Sequence, residues 1–212
     1  MKNFEYVTRN EYMPIKKELI DFINVVQDEI REYLTFSYDF IGSSARNMIT
    51  REVNGNVGYD FDVNLKIKSQ GDDYSPSELR KIIRSAFDKH KNSFGYDFSE
   101  DNTRVITLKV KDRKNKRILH SCDFAIVREL DNGREQYIRY NKKQQSYYWD
   151  YQPKGYYHLN ERIEDIKKYN HWDDVKELYL EKKNANEDDN KKSRSLFAET
   201  INEIFEKYFY LD

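Results

Sequence analysis

The chain has 212 residues, of which 38% are apolar and 35% charged, with a formal net charge of -1 and a mean hydropathy of -1.01. That length suits one domain, or one domain with a small appendage, and holds enough apolar residues for a core. No run approaches the ~20 apolar residues of a membrane span, no apolar stretch follows the opening Met-Lys-Asn-Phe-Glu as in a signal peptide, and the balanced charge excludes a uniformly basic chain.

The lone Cys122 has no internal disulfide partner and suits a reducing compartment, so the sequence predicts a cytoplasmic protein. Ile15, Leu19, Phe22, Ile23, Val26, Ile30 and Leu34 recur with helical spacing, which predicts a helix over 14–34 with Pro14 at its first position. Phe36-Ser-Tyr-Asp-Phe-Ile41 reads as a short strand running into a Gly42-Ser43 turn, where Ser43 or Ser44 caps a short helix through Met48 and Ile49. Asn54-Gly-Asn-Val-Gly58 reads as a flexible loop.

The next strand has the clearest pattern in the chain. Phe61, Val63, Leu65 and Ile67 alternate with Asp60, Asp62, Asn64 and Lys66, so one face is core and the other faces water or a cleft. Ser75-Pro-Ser-Glu78 is a capping box with Pro at the first helical position, and Leu79, Ile82, Ile83, Ala86 and Phe87 continue that helix. Residues 103–110 and 117–127 alternate like paired strands about the polar turn 111–116, and Asp131-Asn-Gly133 marks a hairpin into 136–140. From about Asn160 the pattern is helical. Trp172, Val175, Leu178 and Tyr179 make one stripe, Phe197, Ile201, Ile204, Phe205 and Tyr208 another, with a polar break at 184–190. The order predicts an α+β fold, a mixed sheet flanked by helices, with a core over 1–158 and a C-terminal helical part over 159–212.

Three carboxylates stand out. Asp60 and Asp62 project from one face of a core-bearing strand, where Asp is disfavoured, and Asp123 lies within the hydrophobic strand pattern Ser-Cys-Asp-Phe-Ala-Ile-Val127. Together they would make an oxygen-rich site for Mg²⁺ or Mn²⁺. Gly42-Ser43, at a strand-to-helix turn, allows close backbone approach to a phosphate. The plainer alternatives are a solvated strand face for Asp60 and Asp62, a turn glycine at Gly42, and a surface salt bridge for Arg46 in place of a phosphate contact. His90, His120, His158 and His171 are dispersed, which argues against zinc and against a His-bearing phosphohydrolase. Cys122 reads as a buried thiol. The basic residues between Lys109 and Arg117 read as a solvated hairpin, with RNA or a phosphate-rich acceptor as the alternative. Tyr147-Tyr-Trp-Asp-Tyr151 and Tyr156-Tyr157 offer either base stacking or core packing.

In this order, the Gly-Ser turn, the Asp-Phe-Asp strand and the later Asp resemble the DNA polymerase β-like nucleotidyltransferase superfamily over about residues 36–127. Ala45-Arg46 and Asp60-Phe-Asp-Val63 are closest in wording to its second-messenger and oligoadenylate synthase branch and to antibiotic nucleotidyltransferases. The resemblance implies that Asp60 and Asp62 hold two Mg²⁺ or Mn²⁺ ions, that Asp123 serves the ion activating an acceptor hydroxyl, and that Gly42, Ser43 and Arg46 bind NTP phosphates. It implies transfer of a nucleoside monophosphate from an NTP to a small molecule, a nucleotide, an RNA or a protein, with nucleic acid disfavoured by the charge and no membrane partner. The alternative is a nucleotide-binding or partner-binding protein that keeps the fold without turnover.

Overall fold

The computed structural model describes residues 2–68, 71, 73–151, 158–188 and 190–210. Tyr156 and Tyr157, two of the six candidate base-stacking aromatics, lie outside them, as does Asp189 in the polar break. The chain forms two compact units, one of Val7–Ile49 with Gly55–Gln152 and the other of Met1–Tyr6, Thr50–Asn54 and Pro153–Asp212.

The larger unit is a seven-stranded mixed sheet. Its strands are β2 (Phe36–Ile41), β4 (Tyr59–Ile67), β5 (Phe98–Asp101), β6 (Val105–Asp112), β7 (Arg117–Glu129), β8 (Glu135–Asn141) and β9 (Ser146–Tyr151). They run in the order β2-β4-β7-β6-β5, while β8 pairs with the far end of β7 and β9 with β8. Only β4 and β7 are parallel; every other pairing is antiparallel.

Alternation decides which face is dry. Phe61, Val63 and Leu65 of β4 share a face with Cys122, Phe124 and Ile126 of β7 and Ile106 and Leu108 of β6, and all are buried. Helix α1 (Arg9–Ile30) brings Leu19, Phe22, Ile23 and Val26 to that core, and α3 (Pro76–His90) brings Leu79, Ile83 and Phe87. Phe87 lies 4.3 Å from Phe124 and 5.3 Å from Phe22, ring centre to ring centre. Burying each such ring stabilises the fold by about 1.5–3 kcal/mol. With this face closed by helices, the acidic strand residues are left on the other.

The ends of the elements carry the corrections. Helix α1 starts at Arg9, not Pro14, because Thr8 and Glu11 form a cap in which the Glu11 carboxylate accepts from the Thr8 amide at 3.1 Å and its hydroxyl at 2.8 Å. Pro14 therefore lies within the helix, and Leu34 is buried just beyond its end. Helix α3 begins as the sequence predicts, with Ser75 and Glu78 closing the box and Pro76 at the first position. Strands β5 and β9, which the sequence does not reveal, extend the sheet beyond β6 and β8 respectively.

The smaller unit pairs β1 (Phe4–Tyr6) with β3 (Thr50–Glu52) and adds α4 (Leu159–Lys168), α5 (Trp172–Ala185) and α6 (Ser193–Phe209). Val175 and Tyr179 of α5 and Phe197, Ile201 and Ile204 of α6 are buried, as their helical spacing predicts. The Asn184 side chain donates to the Phe4 carbonyl at 3.2 Å, Lys183 donates to Thr50 Oγ1 at 2.6 Å, and the Tyr6 hydroxyl donates to the Lys176 carbonyl at 2.7 Å. These bonds tie the two short strands to α5.

Candidate active site

The site is built on the parallel pair. Asp62 of β4 lies directly opposite Asp123 of β7, and Asp60 lies opposite Ser121. Cross-strand partners share a face, so Asp60, Asp62, Ser121 and Asp123 all stand on the side away from the helices. The next strand continues that face with Thr107, opposite Asp123, and Lys109, opposite Ser121.

At the edge of β4, Ile41 is the partner of Asp62, and the chain turns there into the four-residue helix α2 (Gly42–Ala45). Gly42 has φ +63°, a left-handed conformation costly for any residue with a side chain. A Cβ built on it would also lie 2.6 Å from the Asp62 Oδ2 atom. Both the backbone angle and the closeness to the carboxylate therefore favour glycine. Neither Ser43 nor Ser44 is the N-cap: that position is Ile41, and the buried Ser44 hydroxyl donates back to its carbonyl at 2.9 Å. The Tyr12 hydroxyl donates to Asn47 Oδ1 at 2.7 Å, anchoring the segment just after α2.

The interval between Ser43 and Asp60 contains β3, and its closing loop is pinned rather than flexible. The Ile118 amide donates to the Asn56 carbonyl at 2.8 Å, and a Cβ on Gly58 (φ +70°) would lie 2.3 Å from the Leu119 carbonyl oxygen. This loop holds the start of β4 against β7.

The electrostatics are those of crowded like charges. Burial, followed by the charges of Asp123 and Asp60, pushes the Asp62 carboxyl up to about 6, against the opposing pull of Arg46. Asp123 is also raised, chiefly by burial, although a hydrogen bond from Thr107 works in the other direction. Asp60 is exposed and accepts a hydrogen bond from the Ser121 hydroxyl. Beside Asp62, the buried Asn64 has a side-chain oxygen with no protein partner.

Among the described residues, no three His, Cys, Asp or Glu side chains are gathered as a ready-made metal cage. Asp62 and Asp123 stand side by side, while Asp60, whose charge acts on both, accepts from Ser121. The donor chemistry still fits a hard divalent cation, since two partly desolvated carboxylates repel one another and an oxygen-seeking cation would relieve that repulsion.

Several of the other candidates have structural partners. Cys122 is buried on the core face, and burial raises its thiol pKa. His120 shares that face, close to Tyr59 and Tyr96, and burial lowers it to about 4. In the basic hairpin Lys109 pairs with Glu100, Arg113 with Asp97 and Arg117 with Asp112. Tyr147 and Trp149 pack against the core. Thr107, Asn102 and Ser121 are not among the residues that the sequence singles out. Their signal was only a polar residue on the wet side of a strand, or in a turn, and such residues are common.

No family model and no curated protein sequence matches the chain. Solved structures do. The chain is similar to the Vibrio cholerae di-nucleotide cyclase DncV in complex with GTP and 5MTHFGLU2, with a TM-score of 0.59 and 13% identity over 98% of this chain and 56% of that one. It is similar to DncV in its 3'-deoxy GTP bound form, with a TM-score of 0.58 and 14% identity over 98% and 54%. DncV described as a cyclic AMP-GMP synthase, in complex with nonhydrolyzable GTP, matches with a TM-score of 0.51 and 12% identity over 79% and 45%. The chain spans about half the length of these proteins. At such identities the likeness is one of fold: the chain has the nucleotidyltransferase-type mixed sheet flanked by helices that these structures share.

Proposed function

We propose that this protein moves a nucleoside monophosphate from an NTP to an acceptor hydroxyl, releasing pyrophosphate. The observation that carries the reading is the pairing of Asp62 with Asp123 on adjacent parallel strands, with Gly42 pressed against the Asp62 carboxylate. The fold shared with GTP-bound DncV supports it.

Asp60, Asp62 and Asp123 are the residues that would hold Mg²⁺ or Mn²⁺. Such ions, when bound, neutralise phosphate charge and lower the pKa of a coordinated hydroxyl. The chain's own residues do the rest. Gly42 and Ser43 receive the outer phosphates of the NTP, the glycine because it leaves room for an anion at the backbone. Arg46 adds a positive charge beside them. Asp123 orients the acceptor hydroxyl and takes its proton as the oxygen forms a bond to the α-phosphorus. The bond from the α-phosphorus to its bridging oxygen breaks, and pyrophosphate carries that electron pair away. The same reading places the protein in the cytoplasm, with a small molecule, a nucleotide, an RNA end or a protein side chain as acceptor.

The hydrogen bond that holds Asp60 toward Ser121 favours a second reading: a nucleotide-binding protein without turnover. One experiment separates the two. Each α-labelled NTP is incubated with the protein and Mg²⁺ or Mn²⁺, beside Asp62→Asn, and pyrophosphate release and label transfer are followed. The expected outcome is metal-dependent release by the wild type and a loss of about a hundredfold or more in the variant. Binding by calorimetry with no release for any NTP selects the second reading; neither binding nor release rejects both.

A further inference from the structure

We propose that Thr107 and Asn102 are positioning residues for Asp123, forming a one-way hydrogen-bond relay that fixes one carboxylate oxygen and leaves the other for the reaction. The inference deepens the nucleotidyl-transfer reading and rests on it. Thr107 stands opposite Asp123 across the β6–β7 pair and is 5% exposed. Its hydroxyl donates to Asp123 Oδ1. A hydroxyl has one proton, so having given it to Asp123 it can only accept from any other neighbour. The Asn102 side-chain amide supplies that bond at 2.8 Å.

The direction of the relay does not depend on how the Asn102 amide is oriented in isolation. The same amide nitrogen faces the Glu100 carboxylate at 3.4 Å, and an ionised carboxylate only accepts. Both neighbours of that nitrogen are therefore acceptors, and the proton order runs from Asn102 through Thr107 to Asp123. The far end is anchored in the core. Arg80 of α3, 1% exposed, donates to the Asn102 carbonyl at 2.7 Å and to the Val105 carbonyl at 2.7 Å, and pairs with Asp101 at 2.6 Å. The Asn102 amide N–H donates to the Val105 carbonyl at 3.0 Å, which closes the β5–β6 turn. A buried cation thus holds the turn from which Asn102 reaches Thr107.

The test uses the full chain as wild type, Thr107→Val, Thr107→Ser and Asn102→Asp. Valine keeps the shape without the hydroxyl, serine restores the hydroxyl, and aspartate offers Thr107 a competing acceptor that draws its proton from Asp123. Three quantities are read: Mn²⁺ affinity from the free-ion EPR signal, kcat and KM for pyrophosphate release from an NTP, and the thermal midpoint. Thr107→Val is expected to lose about tenfold or more in both Mn²⁺ affinity and kcat, as outer-shell partners of ligating carboxylates do, with KM for the NTP nearly unchanged. Thr107→Ser is expected within about threefold of wild type, with Asn102→Asp between the two. Wild-type values in Thr107→Val or Asn102→Asp overturn the relay, as does an equal loss in valine and serine, which would mark a packing role. If Thr107→Val does not fold, the serine and Asn102→Asp variants carry the same contrast. Mn²⁺ binding by the wild type without turnover on any NTP rejects nucleotidyl transfer while the affinity series still decides the relay; a wild type that takes no Mn²⁺ overturns both.

Discussion

Asp62 pays for its position in stability. Its carboxyl is raised from 3.8 to about 6 by burial and by Asp123 and Asp60, so above pH 6 its ionised form opposes folding by roughly 2–3 kcal/mol. Between pH 4 and 6 the folded chain binds the Asp62 proton more tightly than the unfolded one, and this residue's contribution falls as pH rises. His120 has the opposite slope. Its pKa is lowered from 6.5 to about 4, so the unfolded chain takes that proton first and stability rises with pH over the same window. The two slopes offset one another in the wild type. Asp62→Asn removes one of them. Without divalent cations it is expected to be about 2 kcal/mol more stable than wild type at pH 7, a midpoint about 4–8 °C higher, with the advantage gone by pH 4. Calorimetry across pH 4–7 checks this; an advantage that persists at pH 4 would place its origin elsewhere than in the carboxylate charge.

At the scale of elements, α2 is the most exacting part of the site. Gly42 is both left-handed and in contact with Asp62, so Gly42→Ala is expected to cost about 1–2 kcal/mol from the backbone alone and to displace the carboxylate as well. Thermal melting and pyrophosphate release should both fall; unchanged melting would mean that the turn relaxes freely. The sequence made this turn legible because a glycine and two serines after an apolar strand are unusual, and it made β4 legible because its apolar and polar residues alternate without a break. It did not reveal β5, where Ser99, Glu100 and Asp101 supply no apolar contrast, or β9, where Tyr147, Tyr148 and Trp149 are aromatic on both faces. The turn of Asp60 toward Ser121 depends on strand register, which alternation alone does not specify. Thr107 was hidden for the same reason: its meaning lies in the residue across the sheet.

For the whole molecule, a sheet closed by helices on one face leaves Asp60, Asp62 and Asp123 together on the other. That face depends on β7, which joins β4 on one side and β6 and β8 on the other. Truncation after Lys116 leaves β2–β4 and β5–β6 as two separate pairs with no strand between them. Such a fragment is expected to show no cooperative thermal transition by circular dichroism and no Mn²⁺ binding by EPR, because it lacks the strand that joins the two pairs into one sheet and carries Cys122, Phe124 and Ile126 into the core under α1 and α3. A cooperative, metal-binding fragment would show that the acids of β4 suffice.

The β4–β7 pairing also has a consequence in time. Asp60 and its partner Ser121 are 61 residues apart in the chain, and a ribosome adding about 5–20 residues per second needs roughly 3–12 s to cover that distance. During those seconds the nascent chain already carries Gly42, Asp60 and Asp62 but not Asp123. Synthesis order thus leaves the acidic face of β4 without its parallel neighbour until β7 has been made.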